Sequence, residues 1–178
     1  MKRMTLLVAT GAIMASVAYA MPDVMTEIQR GKCDSGPGAA GADEHYVGRF
    51  TLEGDSVKGQ EKRLLFANSK WKSVTGRDGK AGADCEVFWK VEGGKVPASG
   101  CTYCDFGVKF QADVDFDKST CPMDLMLKSR HWQGQYDVDV KDDGTLDLHF
   151  ATSGKKLGTG YHEGSTYTYR TPHRCVWF

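Results

Sequence analysis

From Phe106 onward the chain alternates with a period of two. Phe106, Val108, Phe110, Ala112, Val114 and Phe116 are apolar, while Gly107, Lys109, Gln111, Asp113 and Asp115 stand between them. Such a repeat sends one set of side chains into a core and the other into water, so the stretch predicts a long β-strand with one buried face. A helix would scatter the same aromatics around its surface.

The rule recurs in shorter pieces. Tyr46, Gly48, Phe50 and Leu52 alternate with Val47, Arg49, Thr51 and Glu53, and Gly54-Asp55 ends that strand. Arg63 to Asn68 reads as a weaker strand, because Leu64, Leu65 and Phe66 run together and a helical turn is compatible with them. Arg77 to Gly82 reads as a loop, and Cys85, Val87, Trp89 and Val91 mark a further half-buried strand closed by Gly93-Gly94. Lys156 to His162, Thr166 to Thr171 and Arg174 to Phe178 complete the set, separated by Gly164 and Pro172.

Between His131 and Thr152 the pattern also specifies a register. Tyr136, Val138 and Val140 share one parity, and Leu146, Leu148 and Phe150 must meet them on the same face. A two-residue turn at Asp143-Gly144 sets Val138 against His149 and splits that face. A three-residue loop, Asp142-Asp143-Gly144, pairs Val140 with Leu146, Val138 with Leu148 and Tyr136 with Phe150, and puts the glycine where a left-handed backbone is needed.

These segments make an all-β body of about eight antiparallel strands joined by short connections, either an up-and-down barrel or a two-sheet sandwich; alternation alone does not choose between them. The body occupies residues 45–178. Residues 1–20 carry a basic start (Lys2, Arg3), an apolar run from Leu6 to Val17 and Ala18-Tyr19-Ala20, the three parts of a cleaved signal peptide. Residues 21–44 hold a short helix from Pro22 to Lys32 and a flexible Gly/Ala-rich connection. No cysteine follows the cleavage site closely enough for lipid attachment, and no later stretch reads as a transmembrane anchor. The expected address is secreted or periplasmic. Removing Lys2 and Arg3 from the 23 basic residues leaves 21 against 23 acidic ones, which gives no ground for a nucleic-acid partner.

All six cysteines lie beyond the signal, as an even number in an exported chain should if they form disulfides. An extended 105–116 segment covers roughly 36 Å, and the next five residues recover only about 17 Å, so Cys104 does not reach Cys121. With the 85–91 strand antiparallel to the central one, Cys85 reaches Cys121. One candidate set among the fifteen possible pairings then joins Cys101 with Cys104 and Cys33 with Cys175; reach alone does not fix the connectivity. The last bridge closes a loop worth about 4 to 5 kcal/mol in the chain-entropy model.

Candidate chemistry is sparse. Cys101-Thr102-Tyr103-Cys104 lacks the histidine of a haem attachment site and leads into a strand rather than a helix, so a structural disulfide outranks redox or zinc chemistry. Asp113, Asp115 and Asp117 follow one strand face. The hairpin register sets Asp139 opposite Asp147 and Asp137 opposite His149 on the outer surface, where a cation could bridge them. Together these seven residues form a candidate surface acidic cluster; the simpler reading is a solvated strand face. His162, Glu163 and Ser165 gather in a turn, but contiguous residues seldom converge as a triad. Gly158 and Gly160 share a face, bare either for an overlying aromatic ring or for a ligand. Trp71, Trp89, Trp132 and Trp177, with Tyr103, Tyr136, Tyr161, Tyr167 and Tyr169, exceed what a small core requires, and some are expected to line a pocket or binding face.

In architecture the chain is similar to secreted ligand-carrying barrels of the lipocalin kind, but His45-Tyr46-Val47-Gly48-Arg49-Phe50 stands where their G-x-W mark belongs, and no residue role carries over. With no catalytic constellation, cofactor or metal assigned, the leading expectation is a non-enzymatic exported module that binds a small apolar ligand or a protein partner. A structural or envelope-associated protein comes second, and a hydrolase or metalloenzyme third.

Overall fold

In the computed structural model, which describes Cys33, residues 41–67 and residues 83–177, the alternating segments become nine β-strands and one short helix. The expected signal peptide, the 22–32 helix, the 77–82 loop and Trp71 lie outside the described residues. The strands are β1 (Gly41–Glu53), β2 (Ser56–Ala67), β3 (Cys85–Val96), β4 (Phe106–Val114), β5 (His131–Val140), β6 (Thr145–Phe150), β7 (Lys156–Glu163), β8 (Thr166–Arg170) and β9 (Arg174–Trp177), with helix α1 (Met123–Lys128) between β4 and β5.

Every neighbouring pair is antiparallel, and the order runs β2-β3-β4-β5-β6-β7-β8-β1, after which β1 also pairs with β2. The fold is therefore a closed eight-stranded barrel and not a sandwich, which removes all edges but those of β9 and the strand overhangs. Closure rests on the length of β1. It pairs with β2 from Ala42 to Glu53, with β8 over Val47–Thr51, and with β9 over Gly41–Glu44. On β4 the outward positions are Lys109, Gln111 and Asp113 while Val108, Phe110 and Ala112 are buried, the reverse of a membrane-spanning barrel. Among the described residues no helix is long and apolar enough to cross a membrane.

The β5–β6 hairpin has the three-residue loop and the expected register, Val140 with Leu146, Val138 with Leu148 and Tyr136 with Phe150, and Gly144 sits at φ 84°. The disulfides are Cys33–Cys175, Cys85–Cys121 and Cys101–Cys104, the candidate set that strand reach allowed.

Four boundaries differ from expectation. The β body begins at Gly41 rather than His45, because β9 offers the start of β1 a partner. All of Ser56–Ala67 is strand. Its apolar run divides between faces, Leu65 entering the barrel core while Leu64 and Phe66 join Val47 and Ala83 in a second cluster. β3 continues through Gly93-Gly94, because β4 passes so close that a Cβ at Gly93 would lie 2.1 Å from the Lys109 carbonyl oxygen. β4 stops at Val114 although the alternation continues. Asp115 still donates its N–H to the Phe88 carbonyl in register, but the chain then turns at 116–118, the Asp115 carbonyl accepting the Ser119 N–H at 3.1 Å, and Phe116 is left exposed.

One half of the interior is solid. Near the β1–β2 and β7–β8 turns, Phe50 stacks on Tyr167 at 5.0 Å between ring centres, and Phe106 meets the same ring edge-on at 5.6 Å. Toward the opposite end the packing loosens.

Candidate functional site

At that opposite end the barrel opens into a cavity of about 820 Å³, walled by Tyr46, Trp89, Trp132, Tyr136, Phe150 and Leu157. These side chains come from β1, β3, β5, β6 and β7, so the cavity exists only because the sheet closes on itself. Its volume falls in the range of small-molecule sites, roughly 300 to 1,000 Å³.

The wall aromatics hold each other in place. Tyr46 stacks on Trp89 at 6.2 Å, and Trp132 and Tyr136 both pack against the buried Phe110, at 4.7 and 4.8 Å. Two of them turn their polar atoms to the protein. Trp89 Nε1 donates to the Ser129 carbonyl at 2.9 Å, which pins the end of α1 over the barrel, and the Tyr136 hydroxyl donates to Glu61 at 3.2 Å. The cavity thus meets apolar ring faces.

Below it lies a polar knot. Glu61, 1 % exposed, accepts hydrogen bonds on Oε2 from the hydroxyls of Tyr136 and Tyr169, while Oε1 has no hydrogen-bond partner among the described residues. Burial pushes the Glu61 carboxyl up to about 7, against which the two phenol donors pull. Tyr136 and Tyr169 are raised in turn, first by burial and then by the Glu61 charge. Beside Tyr46, whose pKa burial and Glu44 raise, Arg63 pairs with Glu44 at 2.7 Å. The void beside Glu61 measures about 10 Å³, too small for a substrate.

No known family, curated protein or solved structure matches this chain. The site must therefore be read from its own chemistry.

The seven residues of the acidic cluster do not form one surface. Asp137 is fully buried beneath the 97–105 loop, where its Oδ2 accepts the main-chain N–H groups of Ser99, Gly100 and Cys101 at 3.0, 2.7 and 3.0 Å. Burial alone would raise its pKa, but these donors and the Gln135 amide lower it. Asp139 and His149 are also buried, not solvated. Asp139 pairs with Lys141, and Asp147 with Lys156 at 2.7 Å. His149 donates its Nδ1–H to the Gly154 carbonyl, 2.9 Å away, and its ring meets Tyr103 edge-on. Asp139, Asp147 and His149 do bring possible ligand atoms within 4.8 Å of one another, with the two lysines as the cations already present. At the far end of β4, Asp113 pairs with His131 at 2.7 Å, Asp115 is buried against Lys90 and Lys118, and Asp117 is exposed.

His162 stacks on Tyr167 at 5.4 Å, and among the described residues no hydrogen bond joins it to Ser165. Neither an overlying ring nor a ligand explains Gly158 and Gly160. A Cβ at either would lie 2.3 or 1.9 Å from a carbonyl oxygen of β8, so the strand's close approach demands both glycines. Rings do lie over bare backbone at Gly48, beneath Tyr169, and at Gly41, beneath Trp177. Of the aromatics singled out by sequence, Trp89, Trp132 and Tyr136 reach the cavity, Tyr167 and Tyr169 pack in the body, and Tyr103 and Trp177 are exposed.

Sequence reasoning passed over Glu61. The signal was present, since Val57, Gly59, Glu61, Arg63 and Leu65 share one parity and Val57 and Leu65 are core residues. The polar run around it concealed that parity.

Proposed function

We propose that this chain is a non-enzymatic exported carrier or binding module that holds a small apolar ligand in its barrel. The observation that supports this reading is the cavity of about 820 Å³, aromatic on its walls and open at one end. Three disulfides agree with an oxidising compartment, secreted or periplasmic.

The test is titration with N-phenyl-1-naphthylamine, a neutral apolar fluorophore. Saturable one-to-one enhancement is expected, and Trp132→Ala, which removes a wall without touching the solid half of the core, should weaken it at least fivefold. A probe that stays dark, or that binds Trp132→Ala equally well, would refute the reading.

A further inference from the structure

The cavity's mouth is one-sided in charge. Lys128, His131, Lys156, His173 and Arg174 line it, and no aspartate or glutamate is among the described lining residues. Composition does not explain this, because the whole chain has equal numbers of basic and acidic side chains.

Three of the five have acidic partners outside the lining: His131 with Asp113 at 2.7 Å, Lys156 with Asp147 at 2.7 Å, and His173 with Asp43 at 3.2 Å. Lys128 and Arg174 have no acid within 4.0 Å among the described residues. Both are exposed side chains on anchored backbone. Lys128 ends α1, which buried Met126 and the Trp89–Ser129 bond fasten to the barrel; Arg174 opens β9 beside the Cys33–Cys175 bridge.

The walls and the mouth therefore ask for different parts of one ligand. A charge inside would be costly, since the wall's indole and phenol groups at Trp89 and Tyr136 are already engaged. A charge at the mouth stays hydrated and, if negative, meets two uncompensated cations.

We propose that the ligand is a single-chain amphiphile with one anionic group, its apolar body in the barrel and its anion held at the mouth by Lys128 and Arg174. This rests on the carrier reading given above.

The experiment compares three probes of equal chain length at pH 7.5 by calorimetry: dodecanoate, 1-dodecanol and dodecyltrimethylammonium. Dodecanoate is expected to bind at least tenfold tighter than the ammonium probe, and only its affinity should fall when NaCl rises from about 50 to 500 mM. In the K128A/R174A double variant its affinity should drop about tenfold while that of 1-dodecanol stays within twofold, which also shows that the barrel is intact. If 1-dodecanol binds but the ammonium probe equals dodecanoate, or if the double variant keeps the ranking, the anionic proposal is overturned and the carrier reading survives. If none of the three binds, both fail.

Discussion

Glu61 inside the barrel and Asp137 on its outer wall are both carboxylates with almost no contact with water, yet their protonation is driven in opposite directions. The difference is the number and kind of donors. Asp137 is met by three main-chain N–H groups that the 97–105 loop points at one oxygen, with a side-chain amide at the other. Glu61 has two phenol donors on one oxygen and, among the described residues, none on the other. Burial is unfavourable to both charges; only on the outer wall do enough dipoles converge to outweigh it. The same contrast separates the two regions by role. The wall uses a charge to fasten a loop, whereas the barrel turns its polar atoms inward and leaves apolar faces to the cavity.

Removing the anchor should have the largest effect. Asp137→Ala leaves three main-chain N–H groups without their acceptor, so urea denaturation is expected to show a loss of about 3 to 4 kcal/mol, with faster hydrogen exchange at Ser99–Cys101. A loss below about 1 kcal/mol would mean that these bonds do not hold the loop.

Inside the barrel the expected effect is a pH dependence of opposite sign to that of an ion-paired acid. Glu61 in the folded state holds its proton up to about 7, against 4.5 as its ordinary value. The folded protein therefore binds more protons across that window. The stability this gives is fully present below pH 4.5 and is lost as pH rises through 7. At about 1.4 kcal/mol per pH unit, the loss between pH 4.5 and 8 amounts to about 3 kcal/mol. Glu61→Gln, which keeps the shape and cannot ionise, should remove that part of the pH dependence; denaturation midpoints that fall equally in both proteins would place the titrating group elsewhere.

The smallest expected change refines the comparison. Tyr169→Phe takes away one of the two donors to Glu61, at about 1 kcal/mol above pH 7 and less at pH 4.5, where the acid is neutral. An equal cost at both pH values would show that the phenol packs rather than solvates the charge.

Strand existence and the hairpin register were legible because each follows from local geometry, a period of two and a glycine where the backbone turns left-handed; for the disulfides the reach of an extended chain excluded Cys104–Cys121 and left the observed set among those allowed, while the Cys33–Cys175 bridge, 142 positions apart, is decided by the pairing of the two chain ends. Strand ends were less so. The alternation that runs on to Phe116 says nothing about whether a neighbour remains to pair with it, and the glycines at 93 and 94 look like a stop until β4 is seen crossing them. Nor does the spacing of Asp137 and His149 along one face reveal that a loop from elsewhere folds over them.

By itself the order of residues determined an oxidised antiparallel β body and which side chains share a face, since both depend on neighbours a few positions away. Only closure of β1 onto β8 decided that the sheet is a barrel, and with it came the cavity, the buried Glu61 knot and the basic mouth. Those features join residues more than a hundred positions apart, and what brings them together is the pairing of strands from the two ends of the chain rather than any pattern within one of them.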